Sequence, residues 1–194
     1  VPGGDGNLVL KAAQRLRAAA GIQAGGALRL TKRLPIAAGI GGGSADAAAA
    51  LRMLARLWGL EAQTDLLQAI ALELGADVPA CLRGETAFAA GIGEILTAAP
   101  VLPPLWLVLA NPGIALVTAD VFAARSGGFS DPAPFAGQEI GDARALTQTL
   151  GERHNDLTDA AIALVPAIKG VLAALDALPS RLLARMSGSG ATCF

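Results

Sequence analysis

Four glycines within five positions, Gly39, Gly41, Gly42 and Gly43, stand directly ahead of a long helix-forming run over residues 45–58. Consecutive glycines free the backbone to adopt positive φ and let it approach a ligand closely. The helix that follows points its unpaired N–H groups and the positive end of its dipole back at the loop. That combination suits an anion, most naturally a phosphate. Upstream, residues 27–33 alternate Leu28 and Leu30 with Arg29 and Thr31, which predicts a half-buried strand broken at Leu34-Pro35. Ser44 is expected to cap the helix and Asp46 to suit its first turn. An ordinary capped helix behind a flexible loop is the alternative reading.

Composition narrows what can surround this loop. The chain has 194 residues, 53% hydrophobic and 16% charged, which is globular and poor in charge. Fifteen Lys and Arg against sixteen Asp and Glu leave a net charge of −1, so no broad basic surface for nucleic acid or anionic lipid is expected. No apolar run approaches the roughly 20 residues that a membrane span needs. Cys81 and Cys193 lie far apart and His154 is the single histidine. Neither a disulfide framework nor a Cys/His zinc site is expected, and a reducing cytoplasm fits best.

Periodicity predicts an amphipathic helix over 7–20, stopped at Gly21, and another over 65–74 with Gly75 as a left-handed cap. Residues 76–79 read as a turn. Short strands are expected at 86–90, 93–96, 105–110 and 114–117, with the Asn111-Pro112-Gly113 turn between the last two. Thr118 opens a short helix to 124. Residues 126–141, rich in glycine and proline, read as a long mobile loop. Helices follow at 142–150, 156–164 and 166–178, then a strand, turn and strand over 182–194. Strands and helices do not alternate strictly, so α+β is favoured over a doubly wound parallel sheet. A domain boundary is expected near 98–104, where prolines cluster, giving parts 1–97 and 98–194.

Two familiar phosphate loops fail the test of spacing. The only lysines are Lys11, Lys32 and Lys169, so a Walker A loop is absent. A dinucleotide fingerprint needs G-x-G-x-x-G, and here Gly39-x-Gly41 is followed by Gly43 and Ser44, one residue out of register, although Glu61 lies roughly 20 residues on, which leaves that fold a weak runner-up.

The segment Leu-Pro-Ile-Ala-Ala-Gly-Ile-Gly-Gly-Gly-Ser-Ala-Asp-Ala-Ala over 34–48 resembles the second motif of the GHMP kinases, in its all-glycine form. Three further stretches resemble the family in the same order. They are Leu74-Gly-Ala-Asp-Val-Pro79 with the segment 87–94, Asn111-Pro-Gly113 leading to Thr118 and Phe122, and Met186-Ser-Gly-Ser-Gly-Ala-Thr192. The resemblance spans essentially the whole chain. It implies a two-domain α+β fold, with a ribosomal-protein-S5-domain-2-like N-terminal ATP-binding part and a ferredoxin-like C-terminal part, the active site lying between them. It also implies an ATP-dependent kinase acting on the 2-hydroxyl of a small molecule, 4-diphosphocytidyl-2-C-methyl-D-erythritol (cytidine diphosphate methylerythritol), in isoprenoid-precursor synthesis. Another kinase of the family, of mevalonate or homoserine type, and a noncatalytic nucleotide-binding fragment are the alternatives.

Carried over position by position, the resemblance makes Asp77 the catalytic base; by its local pattern alone Asp77 is a turn residue bonding its own backbone. Pro35, Ile36, Ala37, Ala38, Gly39, Ile40, Gly41, Gly42, Gly43, Ser44 and Ala45 fall on the ATP-binding loop, and Asn7 and Lys32 on the adenine pocket. A solvated lysine at a strand end is an equally good local reading of Lys32. Thr118 and Phe122 face the cytidine, Phe122 offering a ring to stack on; an N-cap and a core aromatic are the plain alternatives. Ser187, Gly188, Ser189 and Gly190 supply a second set of backbone donors, or simply a hairpin turn. Gly42, Gly43 and Ala45 stand where relatives carry serines, one of them a metal ligand, so Mg²⁺ is expected to arrive on the nucleotide with no protein ligand. The family's first motif, with a catalytic lysine, an asparagine and a Tyr-His pair for the cytosine, belongs ahead of Val1. The chain also stops at Phe194 inside an apolar stretch, so both ends read as cuts, and residues 1–194 alone are expected to lack useful kinase activity.

Overall fold

The computed structural model describes residues 6–34, 38–133, 135 and 140–194. It is an α+β chain of two compact units, Val1–Ile36 with Gly41–Ala98, and Ala37–Ile40 with Ala99–Phe194. Among the described residues no helix is long and apolar enough to cross a membrane.

The first unit is built on α1 (Leu8–Ala19) and α2 (Gly42–Trp58). Asn7 caps α1, its Oδ1 accepting from the Val9 N–H at 3.0 Å, and Gly21 ends the turn beyond it at φ 64. The buried face of α2 is mostly alanine: Ala47, Ala48, Ala50 and Ala55, with Leu51 and Leu54. Small side chains let another helix come close, and α1 packs more extensively on α2 than any other element does. Leu16 and Leu51, both fully buried, anchor this core together with Leu67 and Ile70 of α3 (Thr64–Leu74) and Val78 of α4 (Val78–Arg83). An antiparallel hairpin, β1 (Ala87–Ala90) and β2 (Ile95–Ala98), completes the unit, with Ala87 opposite Ala98 and Ala90 opposite Ile95.

The second unit carries α5 (Thr118–Ala124), α6 (Ala143–Gly151), α7 (Thr158–Leu164) and α8 (Ala167–Asp176). Asp142 caps α6 by accepting from the Ala145 N–H at 2.8 Å. The core joins Leu116, Val121, Ala161, Ile168, Met186 and Cys193. Residues 185–187 run antiparallel to 192–194, with the Arg185 and Phe194 N–H groups each donating to the other's carbonyl at 2.8 Å. Cys193 also pairs with Ala110.

Several expectations need correcting. Residues 27–33, 105–109 and 114–117 join no ladder among the described residues. Alternation or an apolar run marks a segment that suits a strand, but a strand exists only where a neighbouring edge takes up its N–H and C=O groups. Trp106 and Leu107 are accordingly exposed. Residues 76–79 do not form an isolated turn: Val78 and Pro79 open α4, since a proline in the first helical turn has no intrahelical N–H bond to lose. Gly75 is not a left-handed cap either. Its φ of 154° and ψ of 156° lie in a region that essentially only glycine occupies. Within 126–141, the described residues form no helix or strand.

The alanine seam makes a prediction. Leu51→Ala opens a cavity where nothing can collapse into it and should cost about 2–5 kcal/mol. Leu57→Ala on the same helix, at a side chain 63% exposed, should stay within about 0.5 kcal/mol. Denaturant melts of the two variants check the contrast; equal losses would show that α2 does not carry the core.

Candidate functional site

The helix α2 begins on Gly41, whose φ of 68° is left-handed, and no side chain caps it. Gly42, Gly43 and Ser44 therefore supply first-turn N–H groups with no partner inside the helix. Ser44 lies in the first turn of α2 and not at its cap, because the helix starts two residues before it. Asp46 is engaged differently from the expected dipole role: its Oδ2 accepts from Lys32 Nζ at 2.5 Å, and both side chains are largely buried. A Cβ on Gly42 would lie 3.6 Å from Lys32 Nζ, which places the ammonium group beside the start of α2. A Cβ on Gly43 would lie 3.6 Å from Leu8, the residue after Asn7. The start of α2, Lys32 and the start of α1 are thus brought together, with Asn7 occupied as a helix cap.

The other half of the glycine loop meets a different set of residues. Pro35, Ile36 and Ala37 lie outside the described residues, while Ala38, Gly39 and Ile40 group with the second unit. Gly39, at φ 72, approaches Gly190 so closely that a Cβ would overlap the Gly190 carbonyl oxygen. Ser187 Oγ donates to the Gly39 carbonyl at 3.0 Å, and the Thr192 N–H and hydroxyl both donate to the Ala38 carbonyl. Ser187, Gly188, Ser189 and Gly190 do form a turn, closed by the Gly190 N–H on the Ser187 carbonyl at 2.9 Å. Asn155 holds it from outside, its Nδ2 donating to the Met186 and Gly188 carbonyls. Nothing in the local sequence marks Asn155 for this task, because its partners lie more than thirty residues away.

Thr118 is the first residue of α5 and not its cap, which is Val117. Its hydroxyl pairs with that of Ser189, itself buried, at 2.8 Å. Phe122 on the same helix is half exposed, so it is not a core aromatic. Thr118 is therefore brought to the 187–190 turn.

Asp77 precedes the first residue of α4 and accepts no capping bond from that helix. The carboxylate is exposed and is not spent on its own backbone. Four residues on, burial pushes the Cys81 thiol above its ordinary pKa; the Asp77 carboxylate adds to this and the Arg52 guanidinium opposes it. Among the described residues there is no group of three or more His, Cys, Asp or Glu placed to hold a metal ion. Among the described residues the first unit presents the uncapped start of α2 with Lys32 beside it and the exposed Asp77 carboxylate, and the second unit presents the 187–190 glycine turn. A helix start with unpaired N–H groups favours an anion, and an exposed carboxylate can accept a proton.

Residues 7–85 match the family described as the GHMP kinases N terminal domain. A 4-diphosphocytidyl-2-C-methyl-D-erythritol kinase from Paramagnetospirillum magneticum (strain ATCC 700264 / AMB-1) is 54% identical over 194 residues, covering 100% of this chain and 67% of the relative. The enzyme of the same name from Rhodospirillum rubrum is 53% identical over 190 residues, covering 98% of this chain and 62% of the relative. A crystal structure of 4-(cytidine 5'-diphospho)-2C-methyl-D-erythritol kinase superposes with a TM-score of 0.77 at 35% identity, over 100% of this chain and 69% of that one. The chain spans about two thirds of the length of the curated relatives it matches.

The Cys81 thiol offers a probe of Asp77. Because the thiolate is the reacting form, Asp77→Asn should speed alkylation of Cys81 near pH ~8 as the thiol pKa falls. Cys193, fully buried, is the slow internal reference. An unchanged rate would show that the Asp77 charge does not reach the thiol.

Proposed function

Because the chain belongs to the 4-diphosphocytidyl-2-C-methyl-D-erythritol kinases of the GHMP superfamily, we propose that its protein transfers the γ-phosphoryl group of ATP to the 2-hydroxyl of 4-diphosphocytidyl-2-C-methyl-D-erythritol. The observation that carries this reading is the start of α2, a long helix with one buried face that opens on Gly41 with no side-chain cap. Its first-turn N–H groups and dipole take the ATP phosphates, and Gly42 and Gly43 leave no Cβ in the way. Lys32, 3.6 Å from the Cβ position of Gly42, adds positive charge at the same place. Thr118 and Phe122 take the cytidine, with Phe122 half exposed and available for stacking.

Asp77 is the base in this scheme. Its carboxylate accepts the proton of the 2-hydroxyl as that oxygen bonds to the γ-phosphorus, and the bond from phosphorus to the β–γ bridging oxygen breaks to release ADP. Positioning and charge stabilisation supply most of the rate, so the carboxylate has to be placed well more than it has to be strongly basic. We assign Mg²⁺ to the nucleotide phosphates, since Asp46, the carboxylate that follows the loop, is already paired with Lys32. A cytoplasmic location goes with small, highly charged nucleotide substrates.

Two variants of the full-length enzyme test the scheme. Asp77→Asn should lower kcat by about 10²–10⁴ with KM for ATP nearly unchanged, because an amide cannot accept the proton. A kcat within a few-fold of wild type would remove Asp77 as the base. In Gly41→Val the Cβ meets no protein atom, but φ 68 disfavours any L side chain and valine most of all. The variant should raise KM for ATP by about tenfold or more, since that strain alone is of order 1–2 kcal/mol. Unaltered ATP affinity in a folded Gly41→Val enzyme would take the loop out of the site.

A further inference from the structure

The short segment that carries Asp77 is held at both ends by residues that belong to neither the loop nor the base. On the upstream side, Gly75 turns the chain at φ 154 and accepts from the Val78 N–H at 3.0 Å. Gly93, in the turn between β1 and β2 and at φ 107, approaches so closely that a Cβ there would overlap the Ala76 carbonyl oxygen. That turn is itself stiffened, with the Ile92 N–H donating to Glu94 Oε2 at 2.6 Å. On the downstream side, α4 has only six residues, so its last carbonyls have no partner within the helix. Arg52, from the middle of α2, donates from Nη1 to the Cys81 carbonyl at 2.8 Å and the Leu82 carbonyl at 3.2 Å. Arg83 Nη1 meanwhile donates to the Leu96 carbonyl of β2 at 3.1 Å.

We propose that Gly93 and Arg52 are positioning residues for the phosphoryl transfer: Gly93 seats the Asp77 turn against the β1–β2 hairpin, and Arg52 ties α4 to the helix whose N-terminus takes the phosphates. The inference rests on the reading of Asp77 as the base. A six-residue helix has too few internal bonds to hold its own orientation, so its direction is set by what grips its ends. Gly93 fixes where Ala76, the residue before the base, can sit. Arg52 fixes the far end of α4 to α2 itself, so that the base and the start of α2 are tied together within one unit. Misplacement by 1 Å costs up to ~10²-fold in rate when chemistry depends on alignment. Neither residue needs to touch a substrate to matter on that scale. Arg52 is exposed and its bonds go to backbone carbonyls, so its loss should leave the fold intact.

The test uses the full-length enzyme with Arg52→Ala, Arg52→Lys, Gly93→Ala and Asp77→Asn, each checked by thermal melt. Arg52→Ala should lower kcat by about 5–20-fold and Gly93→Ala by about 10–100-fold, with KM for ATP within twofold. Arg52→Lys, which keeps a donor to one carbonyl, should recover part of the loss. In an Asp77→Asn background, Arg52→Ala should lower kcat by less than about twofold, because residues acting through one group are not additive. A purely structural role would cost the same in both backgrounds. Full kcat in folded Arg52→Ala and Gly93→Ala, or an Arg52→Ala loss that is undiminished in the Asp77→Asn background, would overturn the positioning role while leaving Asp77 as the base. Full kcat in Asp77→Asn would overturn the base assignment, and the positioning role with it.

Discussion

An unsatisfied helix N-terminus is what the arrangement depends on. Ser, Thr, Asp and Asn are preferred at the cap because a buried or half-buried N–H without a partner is costly. Here the cap position is Gly41, which has no side chain to offer, and it precedes a 17-residue helix sunk in the core of its unit. The helix cannot shift away from this start, because Ala47, Ala48 and Leu51 are fully buried. Such a start makes physical sense where a ligand completes it, and an anion is the ligand whose charge the dipole and N–H groups favour.

Electrostatics around that start are balanced in advance. Lys32 and Asp46 pair at 2.5 Å with 18% and 28% of their side chains exposed, so the lysine is held in place by a partner and is not left to sample solvent. A largely buried ion pair offsets its Coulombic gain by the cost of desolvating both ions, so its net contribution to stability is small. Its value is geometric: it sets a cation beside Gly42 without a long search by a flexible side chain. In the proposed scheme an incoming phosphate meets a positive charge that Asp46 already holds in place.

How much of this was legible in the sequence depends on the range of the forces involved. The helices with a clear apolar period and a glycine stop, α1, α2 and α3, could be read directly, because the period and the stop are local properties. The α+β class and the GHMP kinase resemblance could also be read, the latter from four motifs in order. Strands at 27–33 and 105–109 could not, since whether a suitable segment becomes a strand is decided by a distant edge. The helix α4 was hidden behind Pro79, which looks like a breaker and in fact occupies the first turn. Arg52 and Asn155 left no trace, because each acts on backbone carbonyls about thirty residues away, and carbonyls carry no sequence signature.

The glycines show the same division between local and distant causes. Gly59, at φ 67, ends α2, and the Leu60 N–H reaches back to the Ala55 carbonyl at 2.8 Å; a helix signal of this kind is visible in any sequence. Gly39 and Gly93 are glycine for a second reason. Each combines a positive φ with a carbonyl oxygen, from Gly190 and Ala76 respectively, lying where its Cβ would be. A side chain at either position meets two penalties at once, the conformational one and the steric one, and only the first can be relieved by a tolerant residue such as asparagine. The carbonyl beside Gly93 belongs to the residue next to the candidate base, and the one beside Gly39 belongs to the 187–190 turn. Close packing of backbone on backbone has fewer soft degrees of freedom than contact through side chains, and a group held that way keeps its position as ligands come and go.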